Sequence, residues 1–232
     1  MELVWNRAVG RPFATLILAH GAGAGMDSAV LEQLAQGLAA RGLAVVRFEF
    51  PYMAARRLDG KRRPPDPQAR LLTCWREVYA LVRQQVAGPV VLAGKSMGGR
   101  MASLLVDELG GDALVCFGYP FHPAGKPDTL RVEHLHGLRA PTLIIQGERD
   151  ALGNRGEVEG YALPARIALH WLTAADHDLK PLKSSGFSHE QHLEAAALAV
   201  AAWVERLRTC TRSAARRKNC VESGFGMLID HS

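Results

Sequence analysis

The 232-residue chain holds only four cysteines, at positions 74, 116, 210 and 220, and none forms a C-x-x-C pair. This argues against a disulfide framework, so the thiols read as free groups in a reducing cytoplasm, with Cys116 in an apolar run as a buried core thiol. No apolar stretch reaches transmembrane length, and Met1–Arg7 lacks the charged-then-apolar layout of a secretory signal. The expectation is a cytoplasmic protein with no membrane partner. No internal repeat is present. The formal charge of +5 is modest, and the main basic run, 206–218, straddles a helix end and a tail rather than one helix face. Nucleic acid is therefore not an expected partner.

Hydrophobic residues make up 48% of the chain and charged residues 22%, enough apolar matter for a large core. The length suits one α/β domain. From about Thr209 the chain changes character, with Ser, Arg and Gly present and no periodicity. The domain is accordingly expected over 1–208, with 209–232 an irregular tail.

Short runs rich in Val, Ile and Leu alternate with helical spacing. The strands are expected at 15–19, 44–50, 90–93, 113–117, 142–146 and 167–172, with a less distinct one near 1–7. Continuous apolar runs suit strands buried on both faces, so the order predicts a doubly wound, mostly parallel sheet. Leu31, Leu34 and Leu38 mark a first helix capped by Asp27 or Ser28. Leu71, Trp75, Val78 and Val82 mark a second, and a third runs past Leu104 and Leu105 to Gly110. Leu193, Ala197, Val200 and Val204 mark the last. The Arg- and Pro-rich stretch 56–67 reads as a loop. Residues 118–140 are too few for a large lid domain.

Two glycine patterns point away from nucleotides. Gly94-Lys95-Ser96 ends like a P-loop, but position 89, where a P-loop needs glycine, is Pro. Gly21, Gly23 and Gly25 do not make the dinucleotide fingerprint. No cofactor and no metal site is implied.

Gly94-Lys95-Ser96-Met97-Gly98 follows a strand and precedes a helix. This is the G-x-S-x-G elbow, in which a sharp turn forces the serine hydroxyl out of the chain. In such sheets ligands bind beyond the carboxyl ends of the strands, so the residues after each strand carry the chemistry. There stand Ser96, Asp150 and His177, in that order. Ser96 is the expected nucleophile, His177 its general base, and Asp150 the acid that orients the imidazole. Glu148 is a rival acid. His122 is a rival base, but it precedes Asp150. The N–H of Met97 and that of Ala22 or Gly23 are the expected oxyanion donors. His20 is expected to brace the glycine loop. Tyr52, Lys95, Tyr119 and His122 also follow strands and are expected to touch substrate. Basic loop residues, among them Arg56, Arg57, Lys95, Lys180 and Lys183, could steer an anionic substrate.

The motifs His20–Gly25, Phe48–Met53, Gly94–Met101, Gly118–Pro123, Gln146–Asp150 and Asp176–Leu179 resemble a branch of the α/β-hydrolases related to dienelactone hydrolases. Relatives of testis-expressed protein 30 and of the third subunit of the chromatin NSL complex belong to that branch. The resemblance runs from about residue 13 to 207. It implies a minimal α/β-hydrolase fold without a large lid domain, and the Ser96, Asp150, His177 triad. It does not imply the substrate; the triad residues themselves point to a small-molecule acyl bond, an ester, thioester or relative, and the alternative is a catalytically silent binding protein on the same fold. Dienelactone hydrolases use a cysteine nucleophile. Serine stands here, so that activity does not carry over.

Overall fold

A computed structural model of the protein describes the backbone of residues 1–224 and the side chains of residues 1–209. Seven strands form one sheet: β1 Leu3–Asn6, β2 Ala14–Ala19, β3 Leu43–Phe48, β4 Val90–Lys95, β5 Ala113–Phe117, β6 Thr142–Gly147 and β7 Ile167–Leu172. Their spatial order is β1-β3-β2-β4-β5-β6-β7. Only β1 runs antiparallel, and β2 through β6 are buried along their whole length. A sheet covered on both faces needs no alternating pattern, which is why these strands read as continuous apolar runs.

One face is covered by α1 Ala29–Ala40 and α7 His189–Gly224, whose Leu34, Leu38, Ala197 and Val200 pack with Leu16, Leu18 and Val45. On the other face lie α2 Pro51–Asp59, α3 Gln68–Gln85 and α4 Met97–Ser103, where Trp75, Val78 and Met101 pack with Ile17, Phe48 and Leu92. Two short helices, α5 Glu133–His136 and α6 Arg155–Val158, flank β6 in sequence. Each fully buried side chain of this size contributes about 1.5–3 kcal/mol. Among the described residues, no large lid domain interrupts the sheet.

Four expectations are corrected. The second strand ends at Phe48 rather than Phe50, because Pro51, which has no N–H for a ladder, opens α2. Residues 56–59, expected in a loop, continue α2 until Gly60 closes it in the left-handed conformation at φ 71°. The third predicted helix stops at Ser103, whose hydroxyl donates to the Arg100 carbonyl, and continues only as turns. The tail expected to be irregular from 209 is helical through Gly224. Residues 209–223 contain neither Gly nor Pro, and they extend a helix already formed. Residues 225–232 lie outside the described residues.

Candidate active site

Parallel strands bring the loops after β2, β4, β5, β6 and β7 to one edge of the sheet. Ser96 stands at the turn between β4 and α4 with φ 51° and ψ −118°. A non-glycine residue there costs on the order of 1–3 kcal/mol and persists only where its surroundings impose it. The imposition is visible at two glycines. A Cβ on Gly94 would overlap the backbone of Gly98 and Gly99. One on Gly98 would lie 2.5 Å from the His20 carbonyl oxygen and 2.8 Å from Ala19 Cβ. The turn therefore closes onto β2 with no room for a side chain, and the serine points outward.

His177 lies in the loop after β7. Its Nε2 accepts from the Ser96 hydroxyl at 2.8 Å, and its Nδ1–H donates to Asp150 Oδ2, also at 2.8 Å. Asp150 is fully buried, and its carboxylate takes further N–H bonds from Gln146 Nε2 at 2.9 Å and the Leu152 backbone at 2.8 Å. A carboxylate removed from water needs such donors. From sequence, Gln146 has no role beyond opening the Gln146–Asp150 motif. Its signal was a polar residue ending an otherwise apolar strand. Glu148, the rival acid, bonds instead to Arg155 and the Ala174 N–H.

The loop that carries His177 is held by Lys95. Its ammonium donates to the His177 carbonyl at 2.8 Å and to Asp178 Oδ1 at 3.1 Å. Burial lowers the Lys95 pKa, opposed by the charge of Asp178. Burial raises the Asp178 carboxyl, but the Lys95 charge and hydrogen bond outweigh it and hold the group below its ordinary value.

Across the cleft runs the glycine loop. His20 Nδ1–H donates to the Gly21 carbonyl at 2.6 Å, and its Nε2 accepts from the Phe50 N–H at 3.0 Å. Burial lowers its pKa, in keeping with a neutral ring that both donates and accepts. Met97, the first residue of α4, has an N–H for which the helix offers no carbonyl. The cleft encloses about 680 Å³ and is lined by Gly21, Ala22, Gly23, Lys95, Ser96, Leu152, His177, Asp178, Lys180 and His189, with apolar Val30 and Leu31.

Ser96, His177, Asp150, Lys95, Met97 and the Ala22–Gly23 loop are thus brought together. Three of the residues expected to touch substrate are not part of this lining. Tyr52 is buried beneath the glycine loop. The Tyr119 hydroxyl donates to the Arg131 carbonyl at 3.0 Å, in a network with His134 and Ser103. His122 is buried, with Nδ1 at 2.9 Å from the Pro123 carbonyl and Nε2 at 3.3 Å from Glu157. Following a strand end does not settle which way a side chain faces. Among the described residues, no group of three or more His, Cys, Asp or Glu side chains could hold a metal ion, and no helix is long and apolar enough to cross a membrane.

The sequence pattern of a family described as an alpha/beta hydrolase domain matches residues 12–205. Among solved structures, the chain is similar to an alpha-beta serine hydrolase homologue from Coxiella burnetii, with 20% identity and TM-score 0.66, covering 84% of this chain and 88% of that one. It is similar to an α/β serine hydrolase without lid from Xanthomonas campestris, with 22% identity and TM-score 0.64, covering 85% and 88%. It is also similar to a dienelactone hydrolase from Anabaena variabilis, with 22% identity and TM-score 0.66, covering 89% and 92%.

Proposed function

The chain belongs to the alpha/beta hydrolase domain family, and from that premise we propose that it is a serine hydrolase acting on a small ester, thioester or related acyl bond. The observation that carries the reading is His177, bonded at 2.8 Å to Ser96 on one ring nitrogen and at 2.8 Å to Asp150 on the other. In the first half-reaction the Ser96 oxygen bonds to the acyl carbon while its proton passes to His177 Nε2. The carbonyl oxygen becomes an oxyanion facing the N–H groups of Met97 and of Ala22 or Gly23. Asp150 stabilises the imidazolium. The intermediate collapses, the leaving group departs with the His177 proton, and an acyl-Ser96 ester remains. Water then attacks that ester with His177 again as base, releasing the acid and restoring Ser96.

We also propose, on the motifs quoted above, that the catalytic unit spans 1–208 and belongs to the dienelactone hydrolase-related branch. The two described cysteines, Cys74 and Cys116, are buried free thiols, which supports a reducing cytoplasm. Lys180 in the cleft and Arg56 beside it support an anionic substrate. An anionic ester should then exceed a neutral ester of equal acyl length in kcat/KM at low salt. Equal values at every salt concentration would remove that part.

Labelling with a fluorophosphonate probe tests the core of the reading. The wild type should label and Ser96→Ala should not. Equal labelling of both would reject Ser96 as nucleophile. Labelling of neither would leave a binding protein on a hydrolase fold.

A further inference from the structure

Beneath the glycine loop, α2 presents a row of donors to consecutive backbone carbonyls. The Tyr52 hydroxyl lies 3.2 Å from the Gly21 oxygen and 3.0 Å from the Ala22 oxygen. Arg56 Nη1 donates to the Gly23 oxygen at 3.2 Å. His20 adds its own bond to Gly21. Tyr52 is itself fixed, since its ring packs edge-on to His20 at 5.8 Å and its N–H donates to Asp66 Oδ2 at 2.8 Å.

A trans peptide is planar, so the carbonyl of one residue and the N–H of the next point in opposite directions. Among the described residues there is no cis peptide. Drawing the Gly21 and Ala22 carbonyls down onto Tyr52 therefore turns the Ala22 and Gly23 N–H groups the other way. Ala22 and Gly23 line the cleft that holds Ser96, whereas Tyr52 does not. Glycine-rich backbone has little conformational preference of its own, so its orientation must come from outside the loop. A buried tyrosine hydroxyl needs some partner, but one carbonyl would satisfy it. This one sits within reach of two in succession.

We propose that Tyr52 is a positioning residue for the reaction, its hydroxyl orienting the Ala22–Gly23 backbone so that the oxyanion donors stand ready before substrate arrives. This rests on the serine hydrolase reading above. Tyr52 touches no substrate, so its removal should weaken the transition state and leave ground-state binding alone.

The test uses the full chain with p-nitrophenyl acetate as substrate and a trifluoromethyl ketone as inhibitor. The ketone adds to the Ser96 oxygen to give a hemiketal oxyanion. Tyr52→Phe, which removes only the hydroxyl, should lower kcat about tenfold, less than loss of a whole oxyanion donor because His20 and Arg56 still hold the loop. KM should stay within about twofold, and ketone affinity should fall in proportion to kcat. Titration of active sites with the fluorophosphonate separates this from a loss of folded protein. Should Tyr52→Phe not fold, Arg56→Gln removes the exposed Gly23 contact and should lower kcat about threefold with the same proportional loss of ketone affinity. Unchanged kcat, or a loss confined to KM, overturns the proposal while a silent Ser96→Ala leaves the hydrolase reading intact. A wild type that neither turns over nor labels overturns both.

Discussion

Lys95 sits next to Ser96, the proposed nucleophile, yet its structural partner is His177, the proposed base. The ammonium is buried, and the acid it pairs with, Asp178, is 73% exposed. Removing Lys95 therefore strands no buried charge, and a buried ion replaced by an apolar side chain of similar length is often neutral or stabilising. Lys95→Met should keep or raise the melting temperature, while kcat/KM falls roughly tenfold as the His177 loop loses its anchor. Thermal unfolding and turnover measured on one preparation would show the two moving apart. A parallel fall in both would mean that Lys95 serves the fold alone. The same residue shows what was legible. Ser96, Asp150 and His177 follow from strand ends and chain order. That Lys95 would bond the His177 carbonyl does not, because that contact joins residues 82 positions apart. Tyr119 had the sequence position of a cleft residue. Its N–H instead bonds Gln146 and its ring packs on Phe121, drawing the side chain into the core.

At the level of elements, the strands were legible because burial on both faces leaves an unmistakable apolar run. The helices were less so. In α2 only Tyr52 and Met53 are buried, so it carries no long stripe, and its arginines answer partners elsewhere. Arg57 forks onto Glu49 and reaches Asp27, and Arg56 takes the Gly23 carbonyl. Such a helix reads as loop from composition alone. The junction of β4 with α4 is the opposite case, since its glycines announce it. Gly98→Ala would drive a methyl into the His20 carbonyl and Ala19. Neither is a flexible side-chain end, so the strand and helix must part, at a cost of about 3 kcal/mol or more. Urea denaturation should show this as a lower midpoint with unchanged slope. An unchanged midpoint would mean that the elbow is less tightly closed than described.

At the scale of the whole molecule, three histidines among the described residues are held below their ordinary pKa. Burial lowers His20 and His170. Burial and the Arg100 charge bring His134 to about 4. In the unfolded chain each takes up a proton near its ordinary value of about 6.5, whereas the folded chain resists, so between the two values the unfolded state binds more protons. Stability contributed this way is complete above about pH 6.5 and declines as pH falls toward the folded values. The urea midpoint should therefore drop between pH 7 and pH 5, before ordinary carboxylates titrate. Replacing His134 with Gln should flatten that slope. A midpoint constant across the interval would contradict the burial of these rings.

The hydrogen bond between Ser96 and His177 spans 81 positions, and that between His177 and Asp150 spans 27. Contacts so distant along the chain form late, because a large loop must close before they give anything back. Ser96 in its turn can be complete once β2, β4 and α4 have met. On the proposed mechanism, its activation must wait until β6 and β7 have joined the sheet and delivered Asp150 and His177. In refolding, secondary structure should therefore recover ahead of fluorophosphonate labelling, and labelling should return only with the slowest phase. A probe that reacts with a single serine would time the closing of the far edge of the sheet.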